Sequence, residues 1–149
     1  MNNPLSNRPT KKEYYLNIAK MVSKRSTCLK RHYGAVIVKD DEIISTGYNG
    51  SPRGTENCCD KGVCPRMNVP HNSGDYSNCP AVHAEQNAII SSSRRDMIGA
   101  TLYLCGEEWN PDTNEITTIK HAEPCPICMN IIKNSGIKNV ISYCSEIEL

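Results

Sequence analysis

His83-Ala84-Glu85 and, farther along, Pro124-Cys125-Pro126-Ile127-Cys128 are the residues of this chain best suited to chemistry. One imidazole and two thiolates are the donors a catalytic Zn²⁺ takes when its fourth position stays open to water. Zinc lowers the pKa of water from about 16 to roughly 7, so hydroxide becomes available at neutral pH without a strong base. Glu85, just past the imidazole, is placed to take up the released proton and hand it on, a relay worth about 10²–10⁴ in rate. A lone Cys-x-x-Cys also suits a structural half-site or a redox pair. A closed knot of His83, Cys125, Cys128 and one loop cysteine would leave the His-x-Glu spacing and the proline corner without a purpose.

Both segments fall at predicted helix starts. Cys125 and Cys128, at i and i+3, share one face of a first turn, where the helix dipole and a metal both favour thiolate over thiol. The proline corner opens that helix, which runs to a Ser135-Gly136 cap. His83 begins another, predicted to reach about Arg95 with Ala84, Ala88 and Ile89 or Ile90 facing inward. Upstream, Thr10 and Glu13 form a capping-box pattern, and Tyr14, Tyr15, Ile18, Met21 and Val22 give the helix that follows an apolar stripe. Gly34–Val38 and Ile43–Thr46, either side of Asp40-Asp41, read as a hairpin. Ala100–Leu104 and Val140-Ile141 are further strands. Gly47 to Pro80 reads as a long loop, and Glu107 to Ala122 as a polar insertion turning at Asn110-Pro111-Asp112. Strands alternating with helices in the second half predict α/β layering with parallel pairing. No repeat or boundary divides the chain, so a single domain over 1–149 is expected.

The length of 149 residues suits one core, and the net charge of +1 argues against disorder and against a strongly basic nucleic-acid surface. No apolar run is long enough to span a bilayer, and Met1–Leu5 lacks signal-peptide character. The expectation is a cytoplasmic protein with no nucleic-acid or membrane partner. Its nine cysteines then point to metal binding rather than to disulfides. The surplus at Cys58, Cys59, Cys64 and Cys79 suggests a second, structural metal.

On these residues the chain resembles the cytidine deaminase superfamily, and within it the deoxycytidylate deaminases. The pairing of His-x-Glu with Pro-Cys-x-x-Cys is the signature of the zinc deaminases. Arg25–Cys28, Gly34–Val38 and Gly47–Gly54 extend the likeness over most of the length. The resemblance implies a three-layer α/β/α sandwich around a five-stranded mixed sheet. It implies hydrolysis of dCMP to dUMP, feeding thymidylate synthesis, with His83, Cys125 and Cys128 on zinc and Glu85 as proton shuttle. It places Asn49 on the sugar, Ala84 in the substrate site, and Lys30 and Arg31 near the phosphate. Tyr48 and Gly50, with Arg94, would serve a regulatory triphosphate carrying Mg²⁺, dCTP as activator and dTTP as inhibitor. The family assembles as hexamers. For a second zinc the resemblance matches Cys28 and Cys58 to two usual ligands, with His71 and Cys79 to complete the set and Cys59 and Cys64 as substitutes.

Two departures stand out. The Glu107–Ala122 insertion is longer than the usual link and is expected at the pocket rim. The sequence stops at Leu149, short of the segment that supplies a substrate-contacting tyrosine, so a deaminase accepting dCTP as well as dCMP stays open. Competing readings are a tRNA or single-stranded nucleic-acid deaminase, which needs a basic groove with stacking aromatics, and a non-catalytic, zinc-stapled interaction module with a closed metal site.

Overall fold

The structure is a computed structural model, described here for residues 3–67, 69–70 and 78–149. The Thr10 cap forms as the sequence predicts: its hydroxyl accepts from the Glu13 amide at 3.1 Å while the Glu13 carboxylate takes the Thr10 N–H. Helix α1 (Lys11–Ser23) follows. Its buried face is Tyr15, Leu16, Ala19 and Ser23, with Ile18 and Val22 at its edges. That face is rotated from the predicted stripe: Tyr14 and Met21 are 49% and 69% exposed. The small residues Ala19 and Ser23 face inward because α1 lies directly on β1 (Arg31–Lys39), where any side chain at Gly34 would run into the Ala19 carbonyl.

Strand β1 is buried from Gly34 to Val38 on both faces, which explains its unbroken apolar run. Val36 and Val38 meet α1, while Ala35 and Ile37 meet the opposite core. Asp40 and Asp41, both at positive φ, turn the chain into β2 (Glu42–Tyr48), antiparallel to β1. The loop beyond contains the short helix α2 (Cys58–Lys61). Helix α3 (Ala84–Ile90) buries Ala84, Glu85 and Ala88 and stops well before Arg95, leaving Ile90 exposed. The serines at 91–93 compete for backbone hydrogen bonds, and Ser93 caps a separate helix, α4 (Arg94–Met97).

The sheet has six strands, one more than expected: β2–β1–β3–β5–β6, with β4 also on β3. Strand β3 (Thr101–Asn110) runs on into the predicted insertion, and β4 (Glu115–Thr118) folds back on it. The turn explains why a polar stretch makes a hairpin. The Asn110 carboxamide accepts from the Asp112 amide at 2.9 Å, Asn114 takes a left-handed conformation, and its side chain accepts from the Trp109 indole at 3.1 Å. Helix α5 (Pro126–Ser135) ends on Gly136 at φ 88° and crosses to β5 (Asn139–Ile141), parallel to β3. Strand β6 (Glu146–Glu148) closes that edge. With α1 on one face and α3 and α5 on the other, the layers are α/β/α, as expected. Among the described residues no helix is long and apolar enough to cross a membrane.

Candidate active site

Two helix starts from distant parts of the chain meet at one end of the sheet. His83 caps α3 and Cys125 caps α5, with Pro126 at its first position. The His83 Nδ1 lies 3.2 Å from the Cys128 Sγ and 3.6 Å from the Cys125 Sγ. A tetrahedral zinc with ordinary bond lengths would hold N and S about 3.6 Å apart, so the donor set fits the ion in kind and in spacing. Among the described residues it is the one trio whose donor atoms all close to within 4.8 Å. The Cys125 sulfur also accepts from the Cys128 amide at 3.4 Å, an orphan donor of the first turn that steadies negative charge. Burial, then the nearby Arg66 guanidinium, pushes His83 below the usual imidazole range, favouring the neutral ligand form.

Glu85 is only 5% exposed. Burial raises its carboxyl, and a hydrogen bond from the Cys128 side chain works against that rise. It faces a cavity shared with His83, Ala84, Cys125 and Glu123 and, from other elements, Lys30, Arg31, Tyr33, Asn49 and Arg66. Every substrate position expected from the sequence therefore lines this cavity. The Lys30 ammonium donates to the Val69 carbonyl at 3.4 Å. Arg31 forms an ion pair with Glu108 at 3.1 Å and also donates to the Tyr33 hydroxyl at 3.3 Å. Asn49 also braces the backbone. Its carboxamide accepts from the Tyr33 amide at 2.8 Å and donates to the Arg31 carbonyl at 2.9 Å, extending the sheet by one side chain. Sequence reasoning missed Tyr33, Arg66 and Glu123. Tyr33 looks like one more residue of a buried strand, and Arg66 sits in a stretch without periodicity. Glu123, beside the proline corner, carried the nearest thing to a signal. No residue of the 107–122 hairpin lines the cavity; the hairpin reaches it through Glu108 on Arg31.

The cysteine surplus gathers on one flank. Cys28, Cys64 and Cys79 line the same cavity, and charge on Cys58, Cys79 and Cys64 is felt at Cys28, whose thiol is pushed up to about 12 mainly by burial. Cys59 is exposed and points to Asp60; His71 lies outside the described residues. Tyr48 and Gly50 line a separate groove with Arg25 and Arg53. Arg94 is not part of that groove; its guanidinium donates to the Asn134 carbonyl at 3.2 Å.

A mixed sheet between helices, with an imidazole and two thiols offered by two helix starts, defines a zinc-binding α/β protein. Residues 9–144 match the sequence model of the cytidine and deoxycytidylate deaminase zinc-binding region, and the chain belongs to that family. The deoxycytidylate deaminase of Mycobacterium phage D29 is 42% identical over 141 residues, covering 90% of this chain and 94% of its own. That of Schizosaccharomyces pombe is 35% identical and matches 96% of this chain, which spans only 40% of the yeast protein. Among solved structures, the dCMP deaminase of cyanophage S-TIM5 in complex with dCMP and dUMP superposes with a TM-score of 0.59 at 28% identity, covering 94% of this chain and 82% of that one.

Proposed function

We propose that this chain is a deoxycytidylate deaminase that hydrolyses dCMP to dUMP and ammonia. The observation that carries the reading is the buried carboxyl of Glu85 beside Cys128, within a cavity that His83 and Cys125 of the metal-ligating trio also line. Those three side chains would hold Zn²⁺, which when bound supplies Lewis-acid activation of water. Glu85 accepts one proton from the attacking water and passes it to the ring nitrogen next to the reacting carbon; it then takes the second proton from the newly added hydroxyl and delivers it to the departing amine. The carbon–nitrogen bond breaks as the ring carbonyl forms, so water and dCMP balance against dUMP and ammonia. Burial suits this role, because raising the carboxyl above its ordinary range makes it a stronger proton acceptor. Lys30 and Arg31 are assigned to the phosphate, Asn49 to the sugar, and Ala84 to the floor of the site.

The test is Glu85→Gln, which keeps size and hydrogen bonding but cannot carry the proton. Zinc content and folding should stay as in the native chain while ammonia release from dCMP falls at least about 10²-fold. Turnover close to native would remove Glu85 from the mechanism.

The finer parts of the proposal rest on the resemblance. They are dUMP supply to thymidylate synthesis in the cytoplasm, hexameric assembly, and control by dCTP and dTTP with Mg²⁺. The groove with Tyr48, Gly50, Arg25 and Arg53 supports a regulatory triphosphate through its two guanidiniums. For a second, structural zinc the resemblance offers Cys28, Cys58, His71 and Cys79, with Cys59 and Cys64 as substitutes; Cys28, Cys64 and Cys79 line one cavity, while among the described residues no second trio of donor atoms closes to within 4.8 Å. Metal analysis of the purified chain, expected at two zinc per protomer against one, decides that part.

A further inference from the structure

We propose that Tyr33 is the wall against which the pyrimidine nucleoside is seated, a specificity-determining residue that Gly106 makes possible. This rests on the deaminase reading and adds to it a residue that carries no motif.

Tyr33 and Gly106 are direct partners across β1 and β3. A Cβ on Gly106 would stand 2.6 and 2.7 Å from two carbons of the Tyr33 ring, so the ring occupies the space a side chain would need. Strand alternation puts Tyr33 on the same face as Ala35, packed against the core that includes Ala84, with its outer part lining the cavity that holds Glu85.

The ring is fixed from several sides. Its amide donates to the Asn49 carboxamide at 2.8 Å, and its carbonyl accepts from the Asn49 amide at 3.4 Å. Its hydroxyl accepts from Arg31, and Arg31 is held by Glu108, its partner in register on β3. Among the described cavity-lining residues Tyr33 supplies the one phenyl-type face. A pyrimidine is planar and gains most from a rigid aromatic surface. Because the phenol is tied to Arg31, the ring that meets the nucleoside and the cation assigned to the phosphate are set at a constant separation.

The experiment compares Tyr33→Leu, Tyr33→Phe and Arg31→Met on dCMP and on deoxycytidine. Tyr33→Leu should raise KM for both by roughly tenfold to a hundredfold while kcat changes little. Tyr33→Phe, which keeps the ring, should stay within about threefold of native. Arg31→Met should raise KM for dCMP alone. Native KM values in Tyr33→Leu, or an effect confined to dCMP, overturns the proposal. If Tyr33→Leu does not fold, Gly106→Ala takes its place, since the added methyl drives the ring from its seat and KM for both compounds must rise. Calorimetric binding of dCMP to the same variants separates the two claims. Native chain that binds dCMP without releasing ammonia overturns the deaminase reading, whereas unchanged binding on loss of the ring overturns the wall.

Discussion

The Nδ1 of His83 and the Sγ of Cys128 stand 3.2 Å apart, though the helices that carry them are separated in the chain by helix α4 and the β3–β4 hairpin. An imidazole kept neutral and a sulfur this close to it are suited to sharing a cation. Removing zinc with a strong chelator should abolish ammonia release, and added Zn²⁺ should restore it. Because thiolate is the ligating form, loading expels protons and apparent affinity should climb with pH. Competition against a chromophoric chelator from about pH 6 to 8 measures this; a flat profile would show that the thiols are not ligands.

Asn49 braces β1 as well as lining the cavity. Asn49→Ala leaves the Tyr33 amide and the Arg31 carbonyl without their partner and should destabilise the fold by about 2–4 kcal/mol. Urea unfolding reads this directly. If the side chain served only the substrate, KM would move and the unfolding midpoint would not.

The Lys24 ammonium donates to both oxygens of Glu107, at 2.7 and 2.9 Å, and the carboxylate is only 6% exposed at its side chain whereas the lysine is 47% exposed. Lys24→Ala strands a buried charge and should cost about 1–3 kcal/mol, the solvent-facing lysine keeping the figure modest. Lys24→Met combined with Glu107→Gln should recover part of that loss, because no lone charge remains. A double variant weaker than the sum of the singles would contradict this account.

Tyr15 donates to Asp41 at 2.5 Å and so ties α1 to the β1–β2 turn. The bond holds the Asp41 carboxyl below its ordinary range, with help from Lys11, and pushes the Tyr15 phenol up to about 12. A depressed carboxyl stabilises the fold above its unfolded pKa of about 3.9 and loses that contribution as pH falls through the lower folded value. A raised phenol contributes fully below about pH 10 and loses its contribution as pH rises toward about 12. The stability gap between native chain and Tyr15→Phe should therefore be widest between about pH 5 and 9 and shrink at both extremes in pH-dependent urea melts.

Much of the catalytic end was legible because its signals are local. A capping box, a proline corner and a His-x-Glu step are short patterns with definite mechanisms, and Thr10, Pro126 and His83 each start a helix where those patterns place them. Ranges failed where tertiary packing decides. The stripe on α1 turned because the nearest approach to Gly34 admits only small residues. The insertion became a sheet because one asparagine organised its turn and another held the indole. Tyr33 stayed hidden because its partner, Gly106, matters through what it lacks, and such a pairing is visible only once the register of β1 against β3 is known.

The parallel pairing of β3 with β5 rests on three residue pairs, Thr101 with Asn139, Leu102 with Val140 and Tyr103 with Ile141. Helix α5 hangs between those strands, so a slip along that short seam would carry both sulfurs away from the imidazole. The cation then acts as a fastener on a short seam of the sheet, and its retention becomes a gauge of whether the two halves of the molecule are correctly aligned. Mutations far from the cavity that loosen this seam should first reveal themselves as zinc leakage, before any loss of helix or strand.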